Sequence, residues 1–70
     1  MTTLDAQIIA VLRLPDRWTA ASIADRIRAD TGRSIPAERI QRRLHVMDDD
    51  GRVLMRNGFY RLSEAERART

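Results

Sequence analysis

Arginine supplies all thirteen basic residues of this chain, and seven of them lie in the segment 33–62. That segment carries four acidic residues, whereas acidic and basic residues cancel in the segments 1–32 and 63–70. The whole net charge of +3 therefore lies in 33–62. A guanidinium group binds phosphate oxygens, and it can also form a pair of hydrogen bonds with guanine O6 and N7. This concentration of arginine indicates a surface that meets phosphate.

The complete absence of lysine has two interpretations, a functional one based on the binding chemistry of arginine and a simpler one that we favour. A genome rich in G and C favours arginine codons in every part of a chain. Arg13 and Arg26 lie outside the basic segment and follow the same bias. We therefore attribute the choice of arginine over lysine to codon usage, and only the position of the net charge is used as evidence about binding.

Catalytic and metal chemistry find little support among the residues. The chain has no cysteine and a single histidine, His45, and it contains neither a glycine-rich phosphate loop nor a plausible pair of nucleophile and base. His45 and Asp49 would share one helical turn, but the sequence supplies no further converging ligands for a metal ion. We expect a protein that is not an enzyme and that holds no cofactor or metal.

Length and composition favour one small globular domain. Seventy residues with 43% hydrophobic and 33% charged content are typical of a folded chain. A domain of this size buries only about 60% of the surface that its unfolded chain exposes, so the core is small. No apolar run approaches the length of roughly 20 residues needed to span a membrane, and no signal peptide is recognisable. The expected location is the cytoplasm.

Three helices are predicted ahead of the hairpin. The first runs from about Thr3 to Arg13, with a possible Thr2–Asp5 capping box, and ends before Pro15. After a short extended stretch at Trp18, a second helix begins at Thr19 or Ala20 and ends at Gly32. The third runs from about Pro36 to Gly51. The expected buried residues of the three helices are Leu4, Ile8, Val11, Leu12, Ile23, Ala24, Ile27, Ile40, Leu44 and Met47.

A hairpin is predicted after the third helix, because Asn57-Gly58 lies between two apolar runs. The expected strands are about Val53–Arg56 and Phe59–Ser63. Pairing across this turn places Met55 opposite Tyr60 and Val53 opposite Leu62, and these four residues should face the core. The outward face then carries Leu54, Arg56, Phe59 and Arg61. Residues 63–70 are expected to be a tail or a short frayed helix.

The order helix, short strand, helix, helix, hairpin resembles that of the winged helix-turn-helix DNA-binding domains. The most specific segment is IQRRLHVMDDDGRVLMRNGFYRL, which is similar to the recognition helix and wing of that family. The resemblance covers roughly residues 3–62. It implies a mainly α fold with a small β-hairpin (α+β), namely three helices with a wing of two to three strands. The connection DTGRSI between helices 2 and 3 is longer than in tight helix-turn-helix motifs.

The resemblance also implies a function, that of a small transcriptional regulator of a prokaryote or mobile element that binds double-stranded DNA. Gln41 and Arg42 would read bases in the major groove, and Arg39 and Arg43 would bind phosphate, although Arg43 lies near the core edge and its stem could simply cover it. The wing would add contacts to the minor groove or the backbone. The full set of candidate DNA-binding residues is Arg39, Gln41, Arg42, Arg43, Arg56, Asn57 and Arg61.

Other interpretations remain open at the level of sequence. The charged face of helix 3 could simply be solvated, and charges on the wing could protect an exposed strand edge from pairing. Leu54, Phe59 or the termini could contact a second copy or a protein partner, which would suit a winged helix that acts as a protein-interaction module. Phe59 could also pack on the tail or stack with Arg61. RNA binding is less favoured, since paired exposed aromatic residues are absent.

Overall fold

The computed structural model describes residues 3–69, and within them it contains four helices and a two-stranded antiparallel sheet. This mainly helical α+β arrangement, with a hairpin after the third helix, confirms the predicted fold class and has a winged-helix-like layout. The elements are α1 (Leu4–Leu12), α2 (Ala20–Thr31), α3 (Ala37–Asp49), β1 (Val53–Arg56), β2 (Phe59–Leu62) and α4 (Glu64–Ala68). We call the hairpin β1–β2 the wing.

Local capping interactions explain where α1 and α2 begin and where α2 ends. Thr3 is the N-cap of α1, and its hydroxyl accepts a hydrogen bond from the Ala6 N–H at 3.2 Å. The expected capping box paired Asp5 with Thr2, which lies outside the described residues. Thr19 caps α2 in a reciprocal capping box with Ser22. Gly32 ends α2 with a φ of +76°, as its place after the periodic segment predicts.

The core lies where α2 packs against α1 and α3, with the wing closing one end. The connection between α2 and α3 is anchored by Ile35, whose side chain is buried. The predicted helical stripes are confirmed at their central positions, which are almost completely inaccessible. The fully buried side chains are Ile8, Ile23, Ile27, Ile40, Leu44, Met47 and Val53.

The wing has the predicted register. Val53 pairs with Leu62, and Met55 pairs with Tyr60. The Trp18 carbonyl accepts a hydrogen bond of 2.7 Å from the Tyr60 N–H, which makes Trp18 a one-residue third strand beside β2. The indole N–H of Trp18 is satisfied by the Leu14 carbonyl at 3.1 Å. The expected wing of two to three strands is thus a hairpin with a single bridge.

One core assignment in the wing is wrong. Met55 shares the inward face with Val53, Tyr60 and Leu62, yet 54% of it is exposed, whereas the other three are buried. The reason is its position in the sheet. β2 is flanked by β1 on one side and Trp18 on the other, so Tyr60 is covered. β1 is the edge strand, and Met55 lies near its distal end, where the helices no longer cover it.

The C-terminal segment forms a short helix, α4, which is one of the two forms expected for residues 63–70. Ser63 caps α4 by accepting a hydrogen bond from the Glu66 N–H at 3.2 Å. The side chain of Glu66 is buried and forms ion pairs with Arg52 at 3.2 Å and with Arg69 at 3.5 Å. Because Arg52 lies between α3 and β1, this contact fastens α4 to the wing's base.

Candidate nucleic-acid interface

The exposed face of α3 presents three of the candidate residues. Ile40 and Leu44 are completely buried, so the residues on the opposite side of the helix point into solvent. Arg39, Gln41 and Arg42 are all exposed. Within residues 3–69 their side chains form no hydrogen bond or ion pair with the rest of the protein. They are therefore free to bind a ligand.

Arg43 has a different environment from its neighbour Arg42. Its Nε donates to Asp5 Oδ1 at 2.8 Å and its Nη2 donates to Asp5 Oδ2 at 2.7 Å, which makes a two-pronged ion pair between α3 and α1. These hydrogen bonds hold the pKa of the Asp5 carboxyl below its ordinary value, and the charge of Arg52 acts in the same direction. The same contact raises the pKa of Arg43. A phosphate would have to compete with Asp5 for this guanidinium.

The C-terminal end of α3 is acidic and exposed. Asp48, Asp49 and Asp50 follow one another there, and Gly51 then turns the chain with a φ of +76°. Three carboxylates repel phosphate, so the N-terminal half of α3 is the part of this helix suited to an anionic ligand. No group of three histidine or acidic side chains that could hold a metal ion is found in the part of the chain that the structure describes.

The wing presents the remaining three candidates. Arg56, Asn57 and Arg61 are exposed, with Arg56 and Asn57 at the tip. Asn57 has a φ of +53° and Gly58 a φ of +81°, as a type I′ turn requires. Both residues tolerate this left-handed backbone, so the tight turn can project the side chains of the tip away from the core.

Phe59 is covered by an arginine that the sequence did not single out. The guanidinium of Arg17 lies 5.7 Å from the centre of the Phe59 ring. Arg17, and not Arg61, therefore stacks on Phe59, and the Phe59 side chain is only partly exposed. Leu54, on the same face of the wing, is 40% exposed. Of the two apolar side chains considered for a protein partner, Leu54 is thus the more accessible.

A cleft of about 480 Å³ lies between the wing, the loop before α2 and α4. We call it the wing cleft. Four arginines from these three segments line it. Its lining residues are Asp16, Arg17, Arg56, Asn57, Phe59, Tyr60, Arg61 and Arg67.

Arg17 and Arg67 were missed because their segments are electrically balanced. Residues 1–32 and 63–70 each carry equal numbers of basic and acidic residues, so net charge gives no signal there. Only the folded chain brings these two arginines beside Arg56 and Arg61. Arg52 shows the opposite change, since it belongs to the basic segment but is paired with the buried Glu66.

No helix among residues 3–69 combines the length and the apolar character needed to cross a membrane. No protein-family model matches the sequence, and comparisons with curated proteins and with solved structures also returned no match. The winged-helix resemblance therefore stands on the residues and on the layout of the fold.

Proposed function

We propose that this protein binds double-stranded DNA, with the N-terminal half of α3 in the major groove and the wing as a second contact. The observation that carries the proposal is the exposed face of α3, where Arg39, Gln41 and Arg42 have no partner among the described residues. Arg43, the next residue, is satisfied by Asp5. Arginines left without an acidic partner on one helix face suit a polyanionic ligand.

The chemistry of the three side chains suits a division of roles. Arg42 can donate two hydrogen bonds to guanine O6 and N7, and Gln41 can pair with adenine N6 and N7. Arg39 serves as a phosphate contact, which contributes affinity without sequence information. Such binding would serve a small transcriptional regulator.

The test is the salt dependence of binding. If about four to six phosphates are neutralised, the logarithm of the association constant should fall with the logarithm of salt concentration at a slope of roughly −4 to −5. Fluorescence anisotropy with a labelled random-sequence duplex, between about 50 and 200 mM salt, measures this slope. Arg39→Ala, which removes a phosphate contact, should reduce the magnitude of this slope by about one. Absence of binding at about 50 mM salt would overturn the proposal.

A second function, protein binding by a winged-helix module, is favoured by one observation. Val46, Leu54 and Met55 are large apolar residues with exposures of 42%, 40% and 54%. Val46 lies near the acidic end of α3 and the other two lie on the edge strand β1. Leu54 and Met55 lie on opposite faces of that strand, so they offer separate apolar contacts and not one continuous patch. A protein that fails to bind DNA but forms dimers in light scattering, abolished by Leu54→Asp, would support this function instead.

A further inference from the structure

We infer that the wing cleft binds backbone phosphates of DNA beyond the part of the duplex that α3 contacts. The inference rests on the proposed function and adds two residues to it, Arg17 and Arg67. It also gives the wing a broader role than that of its tip, since one side of the hairpin would follow the DNA backbone.

The charges of the cleft point to an anionic ligand. Arg17, Arg56, Arg61 and Arg67 are all exposed, and none forms an ion pair with another of the described residues. Asp16 is the one acidic residue among the lining side chains, and its Oδ1 accepts a hydrogen bond of 2.7 Å from the Arg17 backbone N–H. Four like charges around one cleft repel one another until an anion binds between them.

The chain segments that carry Arg17 and Arg67 are each held by a separate contact. Arg17 is held over the Phe59 ring, and the loop that carries it is fixed to β2 by the hydrogen bond from Tyr60 to Trp18. Arg67 belongs to α4, which the buried Glu66 fastens to Arg52. These two segments are therefore in place before a ligand arrives, which lowers the entropic cost of binding.

The distribution of the arginines favours a nucleic-acid backbone over a small anion. They come from three chain segments around an open cleft, so one phosphate ion would meet only some of them. A strand with regularly spaced phosphates can meet several at once. Arg56 also belongs to the wing tip, so the cleft is continuous with the interface already proposed.

The experiment compares two double variants with equal net charge. Arg17→Gln/Arg67→Gln removes two cleft arginines. Arg26→Gln/Arg69→Gln removes two arginines that are not among the lining residues. Arg26 is paired with Asp30, and Arg69 is paired with Glu66. The cleft variant should reduce the magnitude of the salt slope by about two, on specific and random duplexes alike. The control should change it by less than half as much. Thermal melts establish that both variants are folded.

A charge-preserving variant separates phosphate contact from loss of structure. Arg17→Lys/Arg67→Lys keeps both charges and should retain most of the parent salt slope. If the parent binds DNA and the two glutamine variants have equal slopes, the cleft does not touch the backbone. That result overturns the inference and leaves the proposed function intact.

A second experiment tests whether the ligand of the cleft is a free anion and not DNA. The protein is titrated with inorganic phosphate and pyrophosphate, and the arginine Nε–Hε signals are followed by NMR. Weak binding that is lost at moderate salt is the expected result. Saturable binding that persists at physiological salt, in a parent protein that does not bind duplex DNA, would overturn both the inference and the proposed function.

Discussion

Two groups of arginines in this protein differ in whether their guanidinium groups are paired with carboxylates. At one end of the helical layer, Asp5 pairs with Arg43, and Glu66 pairs with Arg52 and Arg69. We call these five residues the paired junction. The wing cleft is lined by four arginines and by a single acidic residue, Asp16. The Asp16 carboxylate accepts a hydrogen bond from the Arg17 backbone N–H and forms no ion pair with the four arginines. The first group joins α1, α3, α4 and the turn between α3 and β1, whereas the second faces solvent.

The comparison shows that residue type alone does not assign a role to arginine. Arg42 and Arg43 are neighbours in one helix and differ in whether a carboxylate lies within reach. A paired guanidinium stabilises the fold and has little left to offer a ligand. An arginine without an acidic partner keeps its donors available and favours an anion from outside.

The largest expected effect is on stability, at the buried end of the paired junction. Glu66→Ala should lower the free energy of unfolding by about 1–3 kcal/mol, because it removes the acceptor of Arg52, whose Nε is already buried without a partner. Urea unfolding measures the change. Glu64→Ala is the matched control, since Glu64 is exposed on the same helix. If both variants lose the same free energy of unfolding, the ion pairs of Glu66 do not stabilise the fold.

The next effect concerns binding, at the unpaired Arg42. Arg42→Ala should cost about 1–3 kcal/mol on a preferred DNA site and reduce the preference for that site over random sequence. Arg39→Ala should weaken binding to all sequences alike, as expected for a phosphate contact. Anisotropy titrations on a selected site and on random duplex measure both. Identical behaviour of the two variants would show that α3 does not read bases.

The ion pair between Asp5 and Arg43 predicts that the stability of the protein depends on pH in the acidic range. The pKa of Asp5 is lower in the folded protein than in the unfolded chain, so its contribution is complete above a pH of about 4 and is lost as pH falls through the folded pKa. The melting temperature of Asp5→Asn should therefore lie below that of the parent at neutral pH. The difference should shrink in strong acid. A constant difference across this range would contradict the prediction, and exposed Asp25→Asn serves as control.

The smallest expected effect on stability is at the wing tip. Arg56→Ala removes an exposed, unpaired side chain, so it should change the free energy of unfolding by less than about 0.5 kcal/mol. The magnitude of the salt slope of DNA binding should nevertheless fall by about one. A variant that melts and binds like the parent would leave the wing with a purely structural role.

The sequence by itself determined the features that depend on near neighbours. The buried stripes of the helices follow from apolar residues spaced three and four positions apart. The register of the two strands follows from Asn57-Gly58, because a two-residue turn fixes which residues lie opposite each other. Pro15 and Gly32 mark helix ends through backbone geometry alone. The winged-helix-like order of elements, and with it the exposed face of α3, was therefore predictable.

The tertiary structure decided which side chains find partners. Asp5 and Arg43 are separated by 38 positions, and no local pattern joins them. Met55 has the predicted pairing partner but is exposed, because burial depends on what lies above the sheet. Arg17 and Arg67 come from electrically balanced segments and line the same cleft only in the folded chain. Coulomb energy depends on distance in space, whereas the sequence reports distance along the chain.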